Sequence, residues 1–452
     1  MASGCLQSPE LAPMASDPNA AMAEANAATG RSLRIAIAAA PLLLVFGWLM
    51  AERLIRCPQG NQADFAQEWT SARNFWTGRP IYQPLAESFP QYFGAGARTK
   101  LLVNAHPPVA VVAVLPWGLL DYRAAWTTWN LLSLALLAGS LWLLMRPAGL
   151  NYLPLDAVPL AALLLASNPL AQQVIEGQMN LLLLALVVGA WAADRGERPL
   201  LAGALVGLAA AVKLYPALLA VYFLGRGGWK ALVACGLSFA GASAVAMGLL
   251  GVDIFAIYAR DVLPGFAPFG DNLANASLGG LWSKVFVGIP GQSAPVVFLP
   301  VAARLASLVS GLAIAALCCY QSWRASDQRE RDLAFTACMI GMLLASPITW
   351  GHSFALLVMP LLIIWRHNAE RPLVRGSLVA IFCLVWLVRP AWIWNAAIPG
   401  LEALAAGLAP ADYLIEPVYT LTALSYLTYA LLALLGLAVV PHPHPLADVH
   451  RS

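Results

Sequence analysis

The sequence predicts an all-α polytopic membrane protein, and three observations carry that reading. Of 452 residues, 60% are hydrophobic and only 11% are charged. An ordinary soluble domain is about a quarter charged and at most about half apolar, so this chain lacks the polar side chains to cover a globular surface. Apolar runs near bilayer length recur along it, and they are continuous Leu, Ala and Val blocks instead of the alternating pattern of barrel strands. Disorder is excluded as well, because its signature is low hydrophobicity with high net charge, whereas the mean hydropathy here is +0.70.

Residues 1–30 are rich in Ala, Ser and Pro and lack the basic and short apolar regions of a signal peptide. They read as a disordered cytoplasmic tail, with Arg31 and Arg34 flanking the first span. A single polytopic membrane domain is expected over 31–440. Its apolar blocks fall at roughly 33–50, 107–119, 124–145, 157–171, 180–193, 199–224, 231–251, 299–320, 332–348, 353–365, 376–394 and 418–440. That pattern predicts about ten to thirteen transmembrane helices, several of them shorter than a straight crossing needs. Short basic loops hold Arg195 and Arg198; Arg226 and Lys230; Arg324, Arg329 and Arg331; and Arg366, Arg371 and Arg375. The positive-inside rule makes these loops cytoplasmic. The long polar stretches 51–106, 252–298 and 395–417 then lie on the opposite face, with 441–452 as a cytoplasmic tail. A helical hairpin across 107–145 would put Arg146 on the wrong side. Pro116 and Pro169 permit broken segments, and the sequence leaves the parity open.

The net charge is +3, from 26 Lys and Arg against 23 Asp and Glu, with no clustered basic face for nucleic acid. The seven cysteines include one, Cys57, in a long polar loop, and no disulfide framework or CxxC pattern follows. GxGxxG, Walker, HExxH and GxSxG patterns are absent, as is any repeat of 20–50 residues. Direct nucleotide binding and membrane metalloprotease chemistry therefore have no sequence support.

The most informative stretch follows the first span, from Asp64 to Trp76. Phe65, Trp69, Ala72 and Trp76 fall at i, i+4, i+7 and i+11, one apolar stripe of a helix. Aromatics on such a stripe suit a helix lying in the membrane interface. Asp64 and Glu68, four apart, share a neighbouring face. Asp64 with Gln67 three residues later is also a capping box, so spacing alone leaves a catalytic and a structural role open. Other polar groups sit inside or beside apolar blocks, where they are costly. They are His106 before Pro107-Pro108, Glu176-Gly177-Gln178-Met179-Asn180, Lys213-Leu214-Tyr215-Pro216, Asn275-Ala276-Ser277-Leu278 and Ser346-Pro347-Ile348-Thr349-Trp350-Gly351-His352. Lys213 lies too deep to snorkel and is expected to face a cavity or bind an anion. Gln178, Asn180 and Asn275 fit interhelical hydrogen bonding as well as ligand contact, and His352 fits a helix start after Pro347 as well as a site.

These motifs, with Gly-Arg-Pro-Ile-Tyr at 78–82, occur in an order that resembles glycosyltransferase family 87 over about residues 35–365. That family comprises integral membrane enzymes of the GT-C fold, among them polyprenyl-phosphate-mannose-dependent α-mannosyltransferases. The resemblance implies a GT-C-type fold with a cytoplasmic N-terminal end and interfacial helices in the first extracytoplasmic loop. It also implies a lipid-phosphate sugar donor, with Asp64 at the position of the catalytic base. Two departures stand out. The family often has a second His where this chain has Ser353, and Asp64 is followed by Phe65, so no adjacent acidic pair exists.

The chemistry implied is transfer of a hexose, with mannose expected, from a polyprenyl-phosphate sugar to a hydroxyl of a lipid-linked or glycan acceptor. A carboxylate takes the acceptor proton, and cations hold the departing phosphate. Lys213, His352 and Arg73 are the candidate cations. Glu68, His106, Gln178, Asn180, Asn275, Ser277 and Trp350 complete the candidate substrate-binding set. Direct displacement inverts the anomeric centre, and the scheme calls for no cofactor and no metal. The expected setting is a bacterial inner membrane, among membrane lipids, with the site facing the periplasm and serving cell-envelope glycan synthesis. The competing classes are a secondary transporter, which would use broken helices and buried ionisable groups, and a lipid-linked glycan flippase or ligase.

Overall fold

The computed structural model describes residues 18–56, 63–97, 103–146, 152–405 and 413–439. Its first helix, α1 (Pro18–Ile55), starts well before the first apolar block. Residues 18–30, expected to be part of a disordered tail, are helical. The alanines between Pro18 and Thr29 are strong helix formers that need only extend a helix already nucleated by the apolar run. The rest of that tail, 1–17, and the tail 441–452 lie outside the described residues.

The next segment folds into α2 (Phe65–Trp76) and α3 (Leu85–Phe93), then α4 (Pro108–Val114) and a 3-10 turn at Leu115–Leu119. The seven residues of α4 and five of the turn extend about 20 Å, short of a bilayer core of about 30 Å. They pack against α2. The following helix, α5 (Tyr122–Met145), is capped by Asp121, whose carboxylate accepts the Ala124 N–H, and it is long enough to cross alone.

A bent pair follows, α6 (Ala157–Ala166) and α7 (Asn168–Glu176), meeting at 63°. The next helix, α8 (Asn180–Arg195), runs in the same direction as α5. Trp129 near the start of α5 donates to the Gly177 carbonyl just ahead of α8, at 2.8 Å. Both helices therefore carry their last arginines, Arg146 and Arg195, to the same end of the bundle. The 107–119 segment is a shorter apolar helix, below the length of a straight crossing.

The next two segments make an apolar hairpin: α9 (Pro199–Val212) runs to Lys213, then a 3-10 turn (Tyr215–Leu219) and α10 (Ala220–Gly225) return. Its base is pinned by Tyr222, whose hydroxyl donates to Asp194 at 2.6 Å. The helix α11 (Trp229–Leu250) lies directly on α9. A Cβ on Gly203 or Gly207 would fall 1.9 Å from the Ala231 carbonyl oxygen or 2.1 Å from that of Cys235, so the small-xxx-small spacing is what lets the two backbones meet.

The loop region carries short α12 (Ile254–Ile257) and α13 (Ala267–Gly270) and then α14 (Leu278–Phe286). Beyond it come α15 (Pro300–Arg324), α16 (Gln328–Ala345), a 3-10 turn (Gly351–Leu357) and α17 (Val358–His367). The chain continues through α18 (Pro372–Phe382), a π-helical stretch (Cys383–Leu387), α19 (Pro390–Ala397), α20 (Leu401–Ala405), α21 (Pro417–Leu421) and α22 (Tyr426–Val439). Among the described residues, five helical segments are long and apolar enough to cross a membrane, or seven if each bent pair counts as one span, and three shorter apolar helices accompany them. No strand forms among the described residues. The architecture is that of an all-α polytopic membrane protein.

A buried polar cluster ties the ends of three helices together, away from the helix breaks at Gly177 and Lys213. Asp332 of α16 is fully buried and accepts from Trp191 of α8 at 2.9 Å and from Gln328 at 3.0 Å. It also pairs with Arg195 of α8 and with His367 of α17 at 2.9 Å. A charge that deep persists because every side is paired.

One sequence expectation fails in α2. Most of its aromatic stripe is packed inside the protein, and of the four stripe residues only Trp76 is exposed. Phe65, Trp69 and Ala72 are buried within the protein. Phe65 stacks on Trp129 of α5 with ring centroids 5.6 Å apart, and Trp69 meets Tyr92, Phe93 and Tyr122. Periodicity finds an apolar face but cannot say what covers it; here α3 and α5 cover it with their own aromatics.

Candidate active site

The site is built where three helical runs break. The breaks are Gly177–Met179 between α7 and α8, Lys213–Leu214 at the tip of the α9–α10 hairpin, and Ser346–Trp350 after α16. Irregular backbone at such depth is tolerated where it lines a polar cavity. Here it lines one of about 1170 Å³, whose wall includes Asp64, His106, Gln178, Lys213, Trp350 and His352.

Asp64 precedes α2 but does not cap it. Its side chain makes no capping hydrogen bond, and Gln67, the other half of the expected capping box, accepts from the Ala105 N–H instead, at 3.0 Å. The Asp64 carboxylate turns into the cavity. Its Oδ2 accepts from Gln178 Nε2 at 2.5 Å, while its backbone N–H donates to Glu176 at 3.2 Å. Gln178 in turn accepts from Lys213 Nζ at 3.0 Å. Burial pushes the Asp64 carboxyl pKa above its ordinary value, against the opposing pull of the Gln178 hydrogen bond and of nearby His106 and Lys213. Gly177 allows the tight passage beside it. Its φ is +62°, and a Cβ there would stand 2.6 Å from Cβ of Phe65.

His352 lines the cavity and is held from behind. Asn180 Nδ2 lies 2.9 Å from its Nδ1 and donates also to Gln173 at 2.9 Å, while Tyr215 donates to Asn180 Oδ1 at 3.3 Å. An amide N–H facing Nδ1 makes that nitrogen the acceptor, which leaves the proton of the neutral ring on Nε2.

His106 also lines the cavity, with its Nδ1 against a carboxylate oxygen of Glu68. Asn104 donates to the other Glu68 oxygen at 3.0 Å. Tyr82 and Tyr258 hold this segment by donating to the His106 and Ala105 carbonyls, at 2.8 and 3.1 Å.

The sequence candidates thus divide. Asp64, His106, Gln178, Lys213, Trp350 and His352 reach the cavity. Glu68 and Asn180 stand one layer back, orienting His106 and His352. Asn275 and Ser277 are also fully buried behind the wall. Asn275 donates to the Pro347 carbonyl at 2.9 Å and accepts from the Thr349 N–H at 3.0 Å. Ser277 caps α14. These two brace the break that carries Trp350 and His352, and they do not contact the cavity. Arg73 is not in the site at all: its guanidinium donates to the Gly118 carbonyl at 2.9 Å, because α2 turns that face toward the 3-10 turn beside it.

Sequence reasoning misses Gln173, and it names Glu176 and Tyr215 only as members of polar motifs, with no role of their own. The detectable signal is the Gln172-Gln173 pair, two amides directly after an apolar block. Among the described residues, no group of three or more His, Cys, Asp and Glu side chains is gathered as metal ligands would be.

Chemically, the cavity offers a carboxylate with raised proton affinity, an ammonium with donors to spare and an imidazole N–H. Residues 104–347 match the family described as glycosyltransferase family 87. A Mycolicibacterium smegmatis protein named polyprenol-phosphate-mannose-dependent alpha-(1-2)-phosphatidylinositol pentamannoside mannosyltransferase is 28% identical over 283 residues, 60% of this chain and 63% of that protein. A Mycobacterium tuberculosis protein of the same name is 30% identical over 272 residues, 59% of each chain. A second M. tuberculosis relative, named for a phosphatidylinositol mannoside acceptor, is 26% identical over 340 residues, 70% of this chain and 73% of its own. The alignment thus spans about three fifths of each of the first two relatives.

Proposed function

The chain belongs to glycosyltransferase family 87, and from that premise we propose that it transfers mannose from a polyprenyl-phosphate donor to a hydroxyl of a lipid-linked glycan acceptor. The relatives' names specify a polyprenol-phosphate-mannose donor and phosphatidylinositol mannoside acceptors. The observation that carries the reading is the disposition of Asp64: released from helix capping, aimed into the cavity and held by Gln178.

In this mechanism Asp64 accepts the proton of the acceptor hydroxyl as that oxygen bonds to the anomeric carbon. The bond from the anomeric carbon to the phosphate oxygen breaks in the same step, and its electron pair leaves with the polyprenyl phosphate. Attack from the face opposite the leaving group inverts the anomeric centre. Lys213 uses one of its three donors on Gln178 and keeps the others for the leaving phosphate. The Nε2–H of His352 supplies a further donor from the same wall. The setting is a bacterial inner membrane with the cavity facing the periplasm, where both lipid substrates reach it from the bilayer.

The test is transfer of radiolabelled mannose from polyprenyl-phosphate mannose by the purified protein, with mass spectrometry of the product. Asp64→Asn keeps the shape but cannot take a proton, so turnover falls by about 10²-fold or more. If the variant folds and keeps more than a tenth of the activity, Asp64 is not the base.

A further inference from the structure

The cavity has a second cationic place that sugar transfer at Asp64 does not use. Arg53, in the last turn of α1, and Arg389, at the start of α19, both line it, and Arg389 acts on Arg53 as a like charge. Glu52, the carboxylate beside Arg53 in sequence, is engaged elsewhere: it pairs with Arg56 at 2.5 Å. Among the described residues no carboxylate lies within ion-pair distance of either arginine. Arg389 is also set by the fold. It stands at the 86° bend between Pro372–Leu387 and Pro390–Ala397, with its guanidinium over Trp392 at 5.5 Å. The wall nearby is apolar, with Leu387, Pro390 and Trp394 lining the same space.

Two guanidiniums on one cavity wall, with no ion-paired carboxylate at either among the described residues, repel each other, and an anion between them removes that cost. Planar forks of N–H donors match the oxygens of a phosphate, and an apolar wall beside them suits an acyl or prenyl chain. We propose that Arg53 and Arg389 form a second anion subsite, separate from Lys213 and His352, which holds the phosphate group of a lipid substrate at the cavity wall. The inference rests on the cavity being the sugar-transfer site. With the donor phosphate at Lys213 and His352, the second phosphate belongs to an acceptor phosphodiester.

The experiment reads binding without turnover, so it fails or succeeds independently of transfer. Native mass spectrometry of the full chain in neutral detergent measures retention of phosphatidylinositol, polyprenyl monophosphate and, as an uncharged control, diacylglycerol. Arg53→Gln/Arg389→Gln is expected to weaken phosphatidylinositol binding at least about tenfold and to leave diacylglycerol unchanged. Arg53→Lys/Arg389→Lys keeps the charge and is expected to retain most of the binding; it also serves as the folding control. Loss of polyprenyl monophosphate in place of phosphatidylinositol supports the subsite and assigns it to the donor. Unchanged retention of both lipids by the folded Gln pair overturns the proposal.

Discussion

Asp64 and Lys213 are joined through a single side chain: Gln178 donates to the carboxylate at 2.5 Å and accepts from the ammonium at 3.0 Å. A direct ion pair would orient the carboxylate toward Lys213 and occupy it. The intervening amide fixes one carboxylate oxygen and leaves the ammonium's other protons for a second anion. In the proposed mechanism this positions the base and the phosphate-holding cation together without a direct ion pair between them.

Gln178→Leu breaks both contacts while keeping the volume roughly constant. Without the amide the Asp64 carboxylate is free to rotate and Lys213 loses its anchor, so turnover is expected to drop by about 10- to 100-fold, the range of a misplaced general base. Thermal unfolding of the variant separates this from a folding defect. Wild-type turnover in a folded Gln178→Leu protein rules the bridge out as a positioning device.

The pH profile follows from the same geometry. A general base works in its deprotonated form, so turnover falls as pH drops through the Asp64 pKa. Burial raises that pKa, which puts the midpoint of the acid limb above the ordinary Asp value of about 3.9. Lys213 pulls it down. Lys213→Met therefore shifts the midpoint to higher pH as well as reducing turnover. A midpoint that stays put or moves to lower pH shows that Lys213 does not act on Asp64 in the working enzyme.

Much of this is legible in the sequence, and the reason is energetic. A Lys, His or Gln within an apolar block costs too much to persist without a task, so Lys213, Gln178 and His352 stand out by their position in the chain alone. The expectations that fail have a common cause. Arg73 and the α2 stripe are assigned by composition, yet composition does not record which neighbour lies against a face. Asn275 and Ser277 are conspicuous as polar residues, but whether they touch the substrate or brace the break at Pro347 depends on a contact 72 residues away in sequence. Arg53 gives no signal, since arginines at helix ends are common; Arg389 lies within the 376–394 block, but its meeting with Arg53 is a tertiary event that the sequence does not record.

A stability test concerns Lys284, fully buried in α14 with its Nζ donating to the Asn275 and Leu424 carbonyls, each at 3.1 Å. Burial holds its pKa down to about 7, against about 10.4 in an unfolded chain. Between those values the unfolded state binds the extra proton, so this group's contribution is full above about pH 10.4 and is lost as pH falls toward 7. Lys284→Met has no such dependence. The Tm of wild type relative to the variant is expected to rise from pH 7 to pH 10, and a flat difference shows that Lys284 is solvated.

The mechanism also fixes a topology. Gln91 in α3 and Gln292 between α14 and α15 are exposed and belong to the two long loops, while Ser326 is exposed in the turn between α15 and α16. Between Gln292 and Ser326 runs α15, whose 25 residues extend about 37 Å, more than the hydrocarbon thickness. Arginines cluster at the Ser326 end, with Arg324, Arg329 and Arg331 near it, so the proposed topology places that end in the cytoplasm by the positive-inside rule. In a cysteine-free background, Gln91→Cys and Gln292→Cys are expected to react with an impermeant maleimide in intact cells. Ser326→Cys is expected to react only after permeabilisation. Asp64, on the first long loop, and the break at Pro347, braced by Asn275 of the second, line one cavity. Labelling of the two loops from opposite sides would divide that cavity across the bilayer, and no acceptor could then reach Asp64 and His352 together.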